Sequence, residues 1–379
     1  MVVSQKPMRS AQKPYTIEKV SQLALLAKEV NAGTDYKGVY FSLKNDLDLN
    51  NCEWIPIGNG EYSFSGIFDG NNHTIFNLKI ANLGSFATKN SKREDVQYTT
   101  GLFGSCSDTT IKNMNIKNVS IAVTNIANAN VVMGGVLIGT MRTDSVSEVY
   151  NINVASAAIT CIFALQDGTS SLSLGGIIGH VYGGEASSIN VNNINSDTSI
   201  SVQNGHASYN LVGGIFGAVS SGNLVEISNC ASYLSIIIDT DNCYVDHNYF
   251  GAFGSMSVIN NTISVSNIFS KVKTNKINDS THGYSAYHAN AIIGETNHAK
   301  QKDGTRIGGY EFNNLFGIVE QVDTLTGESV KSTQLYELSS QVDCSEKNCF
   351  GCEILPDSHG FDTLLWDLTD MSNPKVKLK

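Results

Sequence analysis

Gly101-Leu-Phe-Gly104 is the first of a series of glycine-hydrophobic-hydrophobic-glycine tetrads that return along the chain. The later copies are Gly135-Val-Leu-Ile-Gly139, Gly176-Ile-Ile-Gly179, Gly214-Ile-Phe-Gly217, Gly251-Ala-Phe-Gly254 and the degenerate Ala291-Ile-Ile-Gly294. Their first residues lie 34, 41, 38, 37 and 40 positions apart. A constant short core with variable spacing indicates stacked repeat units whose length changes fall in loops. The second copy carries one extra residue, which suggests a bulge.

A second signature follows each tetrad and alternates hydrophobic residues with asparagine. Examples are Ile111-Lys-Asn-Met-Asn-Ile116, Tyr150-Asn-Ile-Asn-Val154 and Val265-Ser-Asn-Ile-Phe269. Alternation with a period of two predicts strands, and a third short run such as Ser199-Ile-Ser-Val202 predicts another. Each unit is therefore predicted to contain several short strands, with asparagines that stack from rung to rung and share amide hydrogen bonds.

Two all-β architectures accept this pattern, the β-propeller and the parallel β-solenoid. A propeller blade should contain tight Asn-Gly or Asp-Gly hairpins, whereas the clearest such pair, Asn204-Gly205, lies outside the tetrads. We therefore predict a single elongated right-handed parallel β-helix. The handedness follows from the right-handed crossover rule.

The ends of an open solenoid need capping segments because they expose unpaired strand edges. Between about Lys19 and Asn31, apolar residues recur at helical spacing, and Gly33 is placed to stop the helix. We predict an N-terminal capping helix here, with Lys28 and Glu29 facing outward.

The charge and the hydrophobic composition of the chain limit the classes of partner that it is expected to bind. The formal net charge is -10 and the pI is about 5.2, so a nucleic-acid partner is not expected. No apolar stretch approaches the roughly 18 residues of a membrane span, so none is predicted. Met1 to Pro14 also lacks an apolar core of signal-peptide length, which is compatible with a cytoplasmic location, with an unconventional export route or with a missing leader.

The segment before the tetrads carries the motifs Asn45-Asp-Leu-Asp-Leu49, Trp54-Ile-Pro-Ile-Gly58 and Phe64-Ser-Gly-Ile-Phe-Asp-Gly70, and the chain ends with Gly360-Phe-Asp362, Trp366 and Pro374-Lys-Val-Lys-Leu378. In this order the motifs resemble the β-helix module of GLUG-motif proteins, which are surface and secreted repeat proteins of bacteria and some protists. The family includes the non-catalytic part of bacterial immunoglobulin-A peptidases. The resemblance covers about Tyr15 to Leu378 and implies a cell-surface or secreted location, so the compartment stays open.

The resemblance divides the chain into a flexible tail (1–14), a cap helix with first rungs (15–80), GLUG-type repeats (81–320) and a C-terminal rung and cap (321–379). It also assigns structural roles to a set of motif residues. These are Trp54, Gly58, Gly66, Asp69, Gly70, Gly101, Gly104, Gly135, Gly176, Gly179, Gly214, Gly217, Gly251, Gly254 and Trp366.

Acidic and aromatic clusters supply the candidate ligand-binding residues. Asp239, Asp241 and Asp246 lie in an acidic stretch that could serve a carbohydrate-active enzyme, although a solvated loop is the simpler interpretation. Tyr284 and Tyr287 lie in a His-rich insertion between Lys271 and Gly309, where aromatic rings could stack on sugars, although a flexible excursion is the simpler interpretation.

Three further acidic residues, Asp46, Asp48 and Asp69, could hold a hard cation, but turn and strand-edge roles are favoured. The last cysteines, Cys344, Cys349 and Cys352, could be disulfide-bonded, zinc-bound with His359, or free. We predict no metal and no cofactor.

No catalytic signature is found in the sequence. We therefore predict a non-catalytic module for adhesion, binding or scaffolding, with a glycan or protein partner and no predicted oligomeric state. Two alternatives remain, a carbohydrate-active β-helix enzyme (a lyase or glycosidase) and an intracellular structural repeat protein.

Overall fold

The computed structural model describes residues 10–81, 88–89, 96–124, 131–162, 171–184, 187–203, 205–221, 224–238, 243–258, 262–275, 286–300, 306–307, 309–322, 326, 328–336, 339–340, 365–370 and 373–378. One helix, α1, spans Val20–Val30. The first half of the strands are β1 Tyr15–Ile17, β2 Tyr40–Leu43, β3 Leu47–Asp48, β4 Ile67–Asp69, β5 Thr74–Phe76, β6 Lys79–Ile80, β7 Thr88–Lys89, β8 Val96–Thr100, β9 Phe103–Ser107, β10 Thr110–Val123, β11 Val131–Gly135, β12 Ile138–Thr143, β13 Val146–Ile162 and β14 Ser171–Gly175. The others are β15 Ile178–Gly183, β16 Ser188–Gln203, β17 Gly205–Ser221, β18 Leu224–Ile238, β19 Cys243–Val258, β20 Thr262–Asn275, β21 Ala286–Ala289, β22 Ile293–Lys300, β23 Arg306–Ile307, β24 Gly309–Val322, β25 Ser329–Tyr336, β26 Ser339–Ser340, β27 Trp366–Asp367 and β28 Lys375–Val376.

Two large sheets run along the molecule, and each successive repeat adds one strand to sheet A and either one long strand or two shorter ones to sheet B. Sheet A follows the order β1-β2-β4-β10-β13-β16-β18-β20-β24-β25, and sheet B contains β8, β11, β14, β17, β19 and β22. Neighbouring repeats pair in parallel, as where Ile111 lies opposite Val149 and Val149 lies opposite Val191. This confirms the predicted all-β parallel solenoid, because propeller blades pair antiparallel. The right-handed coiling stays a prediction.

The core lies between the sheets and follows the period-two alternation of the sequence. Ile152, Ile194 and Ile268 are fully buried members of one continuous hydrophobic cluster. Inward positions on successive rungs therefore stack, and each rung buries apolar surface against its two neighbours. This stacking is the main source of stability in a solenoid.

The strands of sheet A are longer than the sequence predicts, because the second and third runs of each repeat form one bent strand. β10 spans Thr110–Val123, and its bend lies at Asn113, whose φ is 53°. Asparagine tolerates this left-handed backbone conformation better than other residues with a Cβ, apart from aspartate. The chain can therefore turn a corner without breaking its hydrogen-bonded ladder.

The corner asparagines stack into a ladder. The row consists of Asn113, Asn151, Asn193, Asn229, Asn267 and Asn314, all with positive φ. Nδ2 donates to the Oδ1 of the asparagine on the preceding rung at four steps of this row, for example at 2.8 Å from Asn151 to Asn113 and at 3.0 Å from Asn267 to Asn229. The predicted sharing of amide hydrogen bonds is thus confirmed. Asn193 Oδ1 is buried without a hydrogen-bond partner among the described residues, so the ladder has two segments.

The tetrads form a second corner, in sheet B, where backbones approach too closely for a side chain. A Cβ on Gly135 would lie 2.2 Å from Ile138 O. Gly135 pairs with Gly175 and Gly175 with Gly213, so the third and fourth copies begin one residue earlier than the sequence suggested. These two copies therefore contain the extra residue as well. The register shift falls later, between Gly213 and Phe216.

In the degenerate copy, alanine replaces the first glycine, and a glycine on the opposite sheet makes room for it. Ala291 is fully buried, and a Cβ on Gly317 would lie 2.3 Å from the Ala291 Cβ. Gly317 continues a sheet A row that is serine on the previous rungs, at Ser232 and Ser270. A smaller residue on one sheet therefore makes room for a larger residue on the other.

Helix α1 confirms the predicted capping helix. Leu23, Leu26 and Val30 are buried in the same core as the rungs. Gly33, with φ 99°, stops the helix as predicted, and its N–H donates to Val30 O at 2.9 Å. Lys28 is exposed, whereas Glu29 is half-buried because it accepts a hydrogen bond from the Tyr36 hydroxyl.

At the other end of sheet A, β25 pairs antiparallel with β24, with Leu315 opposite Tyr336. The antiparallel strand covers the last parallel edge of the sheet. No helix among the described residues has the length and apolar content needed to cross a bilayer.

Candidate functional site

The C-terminal strap, defined as residues 365–370 and 373–378, lies on the outer face of sheet A. Its strands β27 and β28 pair antiparallel, with Trp366 opposite Val376. Lys377 N–H donates to Leu365 O at 2.7 Å, which closes this small hairpin. The strap therefore adds structure to the side of the solenoid.

Asn195 fixes the strap to the sheet through its side-chain amide. Its Nδ2 donates to Val376 O and its Oδ1 accepts from Val376 N–H, both at 2.9 Å. The Asn195 amide therefore forms with Val376 the same pair of hydrogen bonds that an adjacent β-strand would form. The Tyr233 hydroxyl adds a hydrogen bond to Pro374 O at 2.5 Å. Asn195 and Val376 are both buried, so losing either bond would leave a polar group without a partner.

A small apolar cluster lies beneath the strap, separate from the main core. Trp366 and Val376 pack on Phe269 and Phe316, whose rings stack with centroids 5.8 Å apart. Phe269 and Phe316 continue the sheet row of Asn195 and point away from the main core. The strap therefore covers aromatic side chains that would otherwise face water.

Beside this contact, the strap and sheet A enclose the flank groove, a cavity of about 540 Å³. Its volume lies within the roughly 300–1,000 Å³ typical of ligand sites. Sheet A and the strap each supply part of the lining, so the groove exists only while the strap is docked. The lining residues are Asn153, Val154, Ala155, Asn195, Ser196, Asp197 and Tyr233 from the sheet, and Asp367, Thr369, Asp370, Asn373 and Lys375 from the strap.

The flank groove is polar and acidic. Asp197, Asp367 and Asp370 contribute three carboxylates, whereas Lys375 is the one basic residue in the lining. Asp370 Oδ2 accepts from Asn373 Nδ2 at 2.9 Å. Hydrogen bonds from the Thr369 side chain and backbone lower the pKa of Asp367, which is therefore ionised at neutral pH. A polyanion would meet net repulsion here.

Tyr233 lines the groove, and its hydroxyl acts as a hydrogen-bond donor. Burial, together with the charges of Asp370 and Asp197, raises the pKa of its hydroxyl well above the ordinary value. The hydroxyl therefore stays protonated at neutral pH and does not supply a general base.

The sequence candidates lie elsewhere. Asp239, Asp241 and Tyr284 fall outside the described residues. Asp246 is on β19 and Tyr287 is on β21, where Tyr287 pairs with Asn248. These two residues thus lie on adjacent strands of sheet B. The predicted loop between Lys271 and Gly309 also contains β22 and β23, because its Ala291 tetrad continues the glycine corner.

The acidic residues that were assigned to turns do serve local hydrogen bonding. Asp46 Oδ1 accepts from Thr74 N–H at 2.9 Å, and Asp48 Oδ1 accepts from Asn50 N–H at 2.7 Å. Asp69 Oδ1 accepts from Asn71 N–H at 2.8 Å and from Asn113 Nδ2 at 3.0 Å, so it begins the asparagine ladder. Within the described ranges, no group of three or more His, Cys, Asp or Glu residues is arranged to hold a metal.

Two further motif residues have clear structural roles. Trp54 is buried and its Nε1 donates to Leu102 O at 3.1 Å, which joins the first rungs to the tetrad. Gly58 has φ 81°, and a Cβ there would lie 2.3 Å from Ser105 O. The motifs before the repeats therefore shape the first rungs of the solenoid.

The buried cysteines are poorly suited to act as reactive thiols. Cys106, Cys161 and Cys230 are buried, whereas Cys52 is exposed, and burial raises the pKa of both Cys106 and Cys230. Buried thiols of high pKa are poor nucleophiles. The terminal cysteines 344, 349 and 352 lie outside the described residues.

Asp197, Tyr233 and Asp370 were missed by the sequence analysis. The nearest signal was the closing motif around Trp366, which was assigned to the end of the stack. Its contact with Asn195 lies 181 positions away in the chain, so no local pattern points to it.

Comparison with known proteins does not show a family for this chain. No family model matches the chain, and no curated protein matches it. A crystal structure described as a "putative immunoglobulin A1 protease from Bacteroides ovatus" is similar at 17% identity and a TM-score of 0.40, covering 80% of this chain and 94% of that one. At these values the similarity carries no argument about activity, and membership of the GLUG family stays a prediction.

Proposed function

We propose that this protein is a non-catalytic binding module that holds a neutral glycan in the flank groove. The observation that carries the proposal is the groove itself, a polar cavity of about 540 Å³ built jointly by a rigid sheet and the docked strap. Ligand sites of this kind combine a concave shape with a few convergent polar groups.

Hydroxyl-rich ligands match the groups that line the groove. Asp197 and Asp370 can accept hydrogen bonds from sugar hydroxyls, and Asn373 can both donate and accept. Three carboxylates against one ammonium group disfavour uronate, sulfate and phosphate groups at this position. We therefore favour neutral sugars over acidic ones.

The sheet side of the groove is well suited to hold a ligand in a fixed geometry. Asn153 lies opposite Asn195 on two strands that also pair with the rungs on either side, and the register of this pair shifts only beyond Val154. Sites on such strands keep their geometry better than sites on loops. Binding would then cost little reorganisation of the sheet.

The test is calorimetric titration with neutral tetrasaccharides of glucose, mannose and N-acetylglucosamine. We expect saturable binding of at least one of them and at least tenfold weaker binding after Asp197→Asn or Asp370→Asn. Glu226→Gln removes an exposed carboxylate of sheet A outside the groove and should leave the affinity unchanged. Circular dichroism of each variant controls for folding.

Two outcomes would contradict the proposal. One is that no neutral glycan binds. The other is that the Asp197 and Asp370 variants bind as tightly as the wild type. New reducing ends in the titrated sugar would instead identify a carbohydrate-active enzyme.

A further inference from the structure

On β12 and β15, the outer face of sheet B carries three large side chains at positions where β9, β17 and β19 have small ones. One row contains Ser105, Thr140, His180, Ala218 and Ser255, and the next contains Ser107, Arg142, Tyr182, Ser220 and Ser257. On β9, β17 and β19, both positions are filled by serine or alanine. The sheet therefore does not need Arg142, His180 or Tyr182 to form. Ordering such side chains costs conformational entropy.

These residues form one ordered group, the His–Tyr–Arg cluster, defined as Arg142, His180 and Tyr182. The His180 and Tyr182 rings stack with centroids 3.9 Å apart and an interplanar angle of 7°. The Arg142 guanidinium lies over the Tyr182 ring, 5.9 Å from its centroid. An exposed guanidinium on an aromatic face is held in a defined orientation.

Neighbouring rungs fix the cluster from both sides. His180 Nε2 lies 3.1 Å from Ser220 Oγ on the following rung. The Tyr182 hydroxyl donates to Met133 Sδ on the preceding rung at 3.7 Å. The cluster therefore spans three rungs and is organised before any ligand arrives.

Arg142 supplies the positive charge of the cluster. Burial lowers the pKa of His180 to about 3, so its imidazole is neutral at neutral pH. Asp108 lies close by, but its carboxylate accepts the N–H groups of Asp144 and Ser145 and lies 3.8 Å from Lys37 Nζ. Across the described ranges, Arg142 forms no ion pair with a carboxylate. Its planar fork of donors is exposed and suits a carboxylate geometrically.

We propose that the His–Tyr–Arg cluster binds the carboxylate of a uronate residue in an acidic polysaccharide. Arg142 would take the carboxylate, while Thr140, on the same face of β12, and Ser220, next to Tyr182 on the following rung, would meet ring hydroxyls. Sugar hydroxyls match these side chains, and an acidic peptide offers few equivalent groups. This site is separate from the flank groove and does not depend on it.

The test is calorimetric titration of the full chain with tetragalacturonate, its methyl ester and tetraglutamate. A short oligomer is chosen because the formal net charge of -10 repels long polyanions. We expect tetragalacturonate to bind and the uncharged methyl ester to bind at least tenfold more weakly. Tetraglutamate should also bind at least tenfold more weakly, because it lacks ring hydroxyls.

Variants locate the site. Arg142→Gln should weaken tetragalacturonate binding at least tenfold, and Arg142→Lys should restore only part of it, because the ammonium keeps the charge without the planar fork. Lys28→Gln removes an exposed positive charge from helix α1 and should have no effect.

The proposal is overturned if tetragalacturonate does not bind, if its methyl ester binds equally well, or if Arg142→Gln binds like the wild type. Equal affinity for tetraglutamate would assign the cluster to acidic peptides and would also overturn it. A failure here leaves neutral-glycan binding in the flank groove untouched, because the two tests use different ligands and different variants.

Discussion

Asparagine at the bend of sheet A meets two physical requirements at once. The backbone there needs a positive φ, 55° at Asn151 and 54° at Asn193, which costs most residues about 1–2 kcal/mol. The side chain at the same place bonds to the adjacent rungs. The ladder hydrogen bonds all run from an Nδ2 to the Oδ1 on the preceding rung, and the Asp69 carboxylate accepts the first N–H. A charged acceptor at this end strengthens the chain of hydrogen bonds.

We predict that Asn151→Ala lowers the free energy of unfolding by about 2–4 kcal/mol, from backbone strain plus lost ladder hydrogen bonds. Asn118→Ala is the control, because Asn118 shares the left-handed backbone at φ 55° but is exposed and has one long contact, 3.4 Å to Asn77. The control should lose about 1–2 kcal/mol from strain. Urea denaturation measures both. Equal losses would show that the ladder contributes nothing.

Asp108 makes a pH-dependent contribution to the free energy of unfolding. Burial acts to raise the pKa of its carboxyl, but the N–H groups of Ser145 and Asp144 outweigh burial and lower the pKa. A depressed folded-state pKa stabilises the protein above the unfolded value of about 4, and this stabilisation is lost as the pH falls through the folded pKa.

We therefore expect Asp108→Asn to be less stable than the wild type at pH 7, with a difference that shrinks as the pH falls below about 4. Thermal melts from pH 7 to pH 2 give the comparison, and Glu226→Gln controls for the loss of one carboxylate. A stability difference that is independent of pH would reject this role for the Asp108 charge.

At the scale of elements, the strap is a small hairpin that depends on the sheet for its position. Asn195 holds it with two hydrogen bonds to one residue, Val376, and Trp366 fills the apolar contact. The strap in turn completes the flank groove. Strap docking and ligand binding should therefore support each other.

Asn195→Ala should release the strap, because the buried backbone of Val376 loses both partners, at a cost of about 1–3 kcal/mol. Trp366 is buried and should become accessible to acrylamide, while Trp54, packed in the first rungs, stays protected. Far-ultraviolet circular dichroism should change little. Asn192→Ala removes a hydrogen bond to Asn190 on the same strand and serves as the control. Unchanged acrylamide quenching of Trp366 in Asn195→Ala would show that Asn195 does not hold the strap on the sheet.

The elements differed in how well the sequence predicted them. Helix α1 was predicted to within one residue at each end, because its apolar residues recur with the helical period and Gly33 marks its stop. The flank groove was not predicted, since it joins Asp197 to Asp370 across a distance in sequence that no periodicity bridges. Local patterns specify elements, whereas a composite site depends on where a distant segment docks.

At the scale of the whole molecule, the repeat pattern predicted the parallel solenoid. Tetrads and asparagines return once per rung because each rung must meet the same neighbours at the same corners. The register was harder to predict. Gly175 and Gly213 continue the row of Gly135, and only the pairing reveals this, because two adjacent glycines in each copy offer two starting points. The small pair Ala291 and Gly317 likewise depends on contact between the sheets.

Disulfide cross-linking tests whether the rungs of the solenoid stack in parallel and in the register described above. Ala158 lies opposite Ser199 and Ser199 lies opposite Ser235, all on the outer face of sheet A. Adjacent strands are about 4.8 Å apart, within reach of a disulfide, whereas strands two rungs apart are about 9.6 Å apart and out of reach.

The measurement is peptide mapping by mass spectrometry after mild oxidation of two double variants. We expect a disulfide-linked peptide in the double variant Ala158→Cys/Ser199→Cys. We expect none in the double variant Ala158→Cys/Ser235→Cys. Linkage of the second pair and not the first would contradict the register, and with it the stacking order of the solenoid.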